Sequence, residues 1–77
     1  MKRVRIVPLK DTAALQTCLE LEIKRRYPGM EINQPRISLW YLNLPYSYNW
    51  TRDDADFMNA LADEQDMLAG WNYQEFN

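Results

Sequence analysis

Apolar and polar residues alternate in "RVRIVPL", Arg3 to Leu9, with Val4 and Ile6 on one side and Arg3, Arg5 and Val7 on the other. This period of two predicts a strand with one buried face that ends at Pro8 or lies at a sheet edge. From Asp11 to Tyr27 the period lengthens, and Leu15, Cys18, Leu19, Glu22, Ile23 and Tyr27 recur at three- and four-residue spacing. That spacing predicts a helix capped by Asp11 or Thr12, with Lys24, Arg25 and Arg26 suited to the negative end of its dipole. "YPG" stops it, because Pro28 biases Tyr27 out of helical geometry and Gly29 supplies a turn.

After a break at "NQP", the segment "RISLWYLNL" places Ile37, Leu39 and Tyr41 on one face and Trp40, Leu42 and Leu44 on the other. A strand apolar on both faces is expected at the centre of a sheet or under a second layer. Pro45 interrupts it, and "YSYNW" resumes the alternation with Tyr46, Tyr48 and Trp50 on one side, which predicts a third strand paired to the second. Thr51 then caps a second helix running to Trp71, with Asp54 closing a capping box and Phe57, Met58, Leu61, Leu68 and Trp71 forming its apolar stripe. Gly70 would mark its end, and the tail "NYQEFN" carries too much aromatic surface for a frayed terminus. The expected fold is α+β in two layers, a three-stranded sheet with two helices on one face in the order β-α-β-β-α.

Composition changes this picture mainly by exclusion. With 77 residues the chain has room for one domain, 1–77, and three Trp, five Tyr and two Phe supply the bulk that a small core needs. A single cysteine and no histidine leave no disulfide framework and no structural zinc site. Cys18 falls on the apolar stripe of the first helix, where a buried, inert thiol is expected. With only two glycines and no histidine there is neither a phosphate-cradling loop nor an obvious proton-transfer group, so the expectation is a non-enzymatic protein without cofactor. The basic N-terminus lacks a signal peptide's apolar run and no stretch is long enough to span a bilayer, which implies a cytoplasmic protein without membrane contact.

Charge adds the feature that asks for a function. The net charge of −2 hides eight bases against four acids in residues 1–50, and one base against seven acids in residues 51–77. Asp53, Asp54, Asp56, Asp63, Glu64 and Asp66 crowd the second helix with Arg52 as the only base. Asp53, Asp54 and Asp56 lack the glycine turn and distal glutamate of a calcium loop. Two readings remain: a solvated helix face, or a surface that a basic partner reads, tolerating self-repulsion in exchange for steering or phosphate mimicry. A separate reading makes Tyr46, Tyr48 and Trp50, near Trp40 and Tyr41, a stacking platform for single-stranded nucleic acid with Arg36 on a phosphate. The pI near 4.9 weighs against it.

Length, element order, "LELEIKRRYPG" (Leu19 to Gly29), "RISLWY" as a strand and "TRDDADFMNALADEQDMLAGW" as an acidic last helix together resemble the DNA-damage-inducible protein I (DinI-like) family of bacteria and their prophages. The resemblance covers most of the chain. It implies a regulator that binds the RecA recombinase, or another DNA-binding protein, through the acidic helix, with Asp53, Asp54, Asp56, Asp63, Glu64 and Asp66 as contact residues. The chain departs from the family pattern before that helix, where "SYNW" stands in place of a glycine-containing turn, and its acids lie farther from the Trp. An acidic DNA mimic encoded by a phage against a host defence or transcription complex would use the same chemistry. Pairing of the basic half of one copy with the acidic helix of another would instead make a homodimer; the monomer is the other expected state.

Overall fold

A computed structural model describes residues 1–76. The elements are β1 (Lys2–Pro8), α1 (Ala13–Arg26), β2 (Glu31–Arg36), β3 (Leu39–Leu44), α2 (Arg52–Asp63) and β4 (Leu68–Glu75). All strand pairings are antiparallel and the sheet order is β2-β3-β1-β4. Each helix therefore links two strands that run parallel but lie one strand apart, so two split β-α-β units interleave as in ferredoxin-like arrangements.

Both helices cover one face. Val4 stands opposite Leu42 and Tyr73, and Ile6 opposite Trp40 and Trp71, so the inward positions of three strands form one apolar surface. Leu19, Ile23 and Tyr27 of the first helical segment and Met58 and Leu61 of α2 complete the core, all of them buried. Thr12 caps α1, accepting from the Leu15 N–H at 3.4 Å, and Gly29 takes the left-handed turn beyond it at φ 77°.

The sheet differs from the expected one in three places. The segment Tyr46 to Trp50 is no strand, because β3 already has β2 on one edge and β1 on the other and offers no free ladder. Tyr48 closes a turn onto the Pro45 carbonyl at 2.9 Å instead. The second strand of the hairpin precedes β3: Glu31–Arg36 pairs with it as an edge strand, where Pro35 and an irregularity between Asn33 and Arg36 are tolerated. The second helix ends at Asp63, not Trp71. The Gln65 N–H reaches the Ala60 carbonyl at 3.0 Å, the Met67 N–H reaches that of Leu61 at 2.8 Å, and Asp66 turns left-handed at φ 53°, reversing the chain into β4. Trp71 and Tyr73, two apart, then face the core layer as strand residues. A further correction concerns Cys18, which is exposed.

Candidate functional site

Six acids were expected on the open side of α2; they divide into two sets. Asp54 is 1% exposed. It stands four residues before Met58 and seven before Leu61, on the buried stripe of the helix. Its Oδ1 accepts from the Tyr48 hydroxyl at 2.6 Å and the Tyr27 hydroxyl at 2.8 Å, with the Arg26 guanidinium at 3.4 Å. Its Oδ2 accepts from the Thr51 N–H at 2.9 Å, closing the capping box, and from the Thr51 hydroxyl at 3.0 Å. Desolvation alone would raise its pKa, but the combined donors outweigh burial and hold the carboxyl below its ordinary value. Burial and the bond to Asp54 push the Tyr48 hydroxyl up to about 12, and the same two causes raise Tyr27. Asp54 is therefore a structural anchor that ties the end of α1 and the β3–α2 connection to α2, and it is not available as a surface contact.

The other five acids are exposed: Asp53, Asp56 and Asp63 along the outer face of α2, Glu64 and Asp66 on the turn after it. Among the described residues the ion pairs are Lys24–Glu20, Arg25–Glu22 and Arg26–Asp54, so none of these five is neutralised.

The opposite face of the sheet carries no helix, and its chemistry is of the other sign. Two cross-strand rows run over it, Asn33–Tyr41–Arg5–Asn72 and Glu31–Asn43–Arg3–Gln74. Arg36, opposite Leu39, extends the same face. Arg3 lies 4.1 Å from the centroid of the Tyr41 ring and 5.3 Å from that of Phe76, and its Nε donates to Gln74 Oε1 at 2.7 Å. Three guanidinium groups there meet one carboxylate, Glu31. The alternation of Arg3 and Arg5 with Val4 and Ile6 already separated these residues in the sequence; what it lacked was the set of strands beside them.

The aromatic platform is not assembled. Tyr48 is committed to Asp54, Trp50 stacks on Tyr73 at 4.9 Å and 15° and lies 5.9 Å from Trp71, and Tyr46 alone stands out, 77% exposed. These contacts lie on the helix side, away from Tyr41 and Arg36. Among the described residues no three His, Cys, Asp or Glu side chains are grouped to hold a metal ion. An open cleft of about 410 Å³ lies between Pro8–Thr12 and Ile37–Ser38. No helix is long and apolar enough to cross a membrane. The fold and these surfaces define a small α+β module with two faces of opposite charge. No protein-family model, curated protein or solved structure matches the chain.

Proposed function

We propose that this chain is a non-enzymatic regulatory protein that docks its acidic surface on a basic protein surface of the kind that otherwise holds DNA. The supporting observation is that five exposed carboxylates on and just beyond α2 have no cationic partner among the described residues, although the same molecule pairs the acids of α1. Such a run repels itself, and beyond the dipole contribution of Asp53 in the first turn it adds little to its own helix, which supports an external use. Magnitude refines the reading. The helical stretch from Asp53 to Asp63 spans about 15 Å at 1.5 Å per residue. Over that length the helix carries three exposed carboxylates, Asp53, Asp56 and Asp63, against about four phosphates on one strand of B-DNA and about twice that on the duplex. The acidic face thus imitates a single backbone track, consistent with the RecA recombinase that the DinI-like resemblance implies; a host defence or transcription complex attacked by a phage-encoded mimic would present the same chemistry.

The test immobilises the wild-type protein beside the variant carrying Asp63→Lys, Glu64→Lys and Asp66→Lys, and measures binding of purified RecA recombinase and of a panel of purified DNA-binding proteins. Retention by the wild type, loss in the variant and competition by single-stranded DNA are expected, with unchanged circular dichroism. Equal binding by both proteins would return the acids to a solvated face.

A further inference from the structure

We infer that the uncovered sheet face is a binding surface for a short stretch of single-stranded nucleic acid, separate from the acidic surface. The row Asn33–Tyr41–Arg5–Asn72 crosses all four strands, a width of about 14 Å at the usual strand spacing. Open four-stranded sheets of this width hold two or three splayed bases on central aromatic side chains. Tyr41 and Arg5 occupy the two central strands and stand opposite each other. Arg3 lies against the Tyr41 ring, held there by Gln74 and with the centroid of the Phe76 ring 5.3 Å away, so the guanidinium and the two rings form one cation-aromatic cluster against which a base can stack.

The occupant follows from what this face is made of. A protein interface concentrates apolar side chains at its centre and sheds charge from it. Here the two central strands present Arg3, Arg5, Tyr41 and Asn43, with Leu39 and Val7 toward one end, which suits a polar, wet, anionic partner. Asparagine and glutamine amides supply both donors and acceptors to base edges, and Arg5 and Arg36, both exposed, are free to meet phosphates. The overall negative charge of the protein does not oppose this locally: Glu31, the one carboxylate of the two rows, accepts from the Asn43 amide at 3.0 Å, and the five acids of α2 and its following turn lie on the other side of the sheet.

The test is fluorescence anisotropy of end-labelled 12-nucleotide DNA and RNA of mixed sequence, titrated with the full chain. Binding by either is expected, with affinity falling about 20-fold between 50 and 200 mM salt if three phosphates are neutralised. The double variant Arg5→Glu, Arg36→Glu removes charge at exposed positions and is expected to bind at least tenfold more weakly with an unchanged melting temperature; Tyr41→Ala should weaken binding at both salt concentrations. The Asp63, Glu64, Asp66 reversal serves as control and retains wild-type binding or improves on it. Tryptophan emission stays constant, since Trp40, Trp50 and Trp71 lie on the helix side. No anisotropy change at 100 μM protein overturns the inference, as does wild-type affinity in the double variant. If the double variant instead dissolves a dimer seen by sedimentation and no oligonucleotide binds, a second copy is the occupant and the inference fails. Because the control variant tests the acidic surface, failure here leaves the proposed protein-docking role standing, and the reverse also holds.

Discussion

Asp53 and Asp54 are neighbours of the same chemical type on the first turn of one helix, yet they belong to regions with opposite physics. Asp54 is buried under two tyrosine hydroxyls, the Thr51 cap and Arg26, so nearly every lone pair is used and its charge is matched. Asp53 and the acids that follow on the outer face meet only water. The first region holds the molecule together and the second is free to act on something else. The difference teaches that an acidic run cannot be counted as one surface: a helical step of 100° moves a carboxylate from anchor to recognition element.

The largest effect expected from this contrast is on stability at Asp54. Replacing it with Ala leaves two buried hydroxyls, a cap N–H and a guanidinium without their acceptor, and should cost about 3–5 kcal/mol. For a domain of this size that lowers the melting temperature by roughly 15 °C or more, readable by circular dichroism. Asp53→Ala should cost about 0.5 kcal/mol, the size of a helix-dipole contribution. Equal losses at the two positions would erase the distinction between the regions. Next in size come the hydroxyls that serve Asp54: Tyr27→Phe and Tyr48→Phe should each cost about 1.5–2 kcal/mol, the worth of a hydrogen bond to a charged group, and the double variant should depart from additivity because both donate to the same oxygen.

The same network predicts pH dependence at both extremes. Asp54 has a depressed folded pKa, so its contribution is present above the unfolded value of 3.8 and is lost as pH falls through the lower folded one. Tyr27 and Tyr48 have raised folded values, so their contribution is present below the ordinary 10.0 and fades as pH climbs from there through about 12 for Tyr48. Urea midpoints from pH 2 to 12 should show both limbs in the wild type. Asp54→Asn should flatten the acid limb. The smallest effect belongs to Cys18→Ser, expected within about 0.5 kcal/mol because the thiol is exposed. The unmodified protein should accordingly react at once with a thiol reagent under native conditions; protection until unfolding would contradict the packing of α1.

The pattern of residues by itself determined β1, α1, a central strand over Arg36–Leu44 of which Leu39–Leu44 is β3 while Arg36 ends β2 and Ile37–Ser38 make the turn, the cap at Thr51 and the start of α2, since each rests on a local signal: alternation, a 3.6-residue stripe or a capping side chain. It also contained the position of Asp54, four and seven residues ahead of Met58 and Leu61, although the density of neighbouring acids hid it. Only the tertiary structure decided the rest. Leu68 and Trp71 fit a continuing helix as well as a strand, and the open edge of β1 together with the left-handed Asp66 selected the strand. Tyr46, Tyr48 and Trp50 alternate as a strand would, but both edges of β3 are taken, so Tyr48 went to Asp54 and Trp50 to Tyr73. Cys18 lies on the predicted stripe and still faces water, because the buried line of α1 runs through Leu19, Ile23 and Tyr27 and Cys18 stands one helical step of 100° off it. Local periodicity sets which side of an element is apolar; which edge, hydroxyl or charge that side meets depends on segments distant in sequence, and those meetings separated the anchor from the two surfaces open to partners.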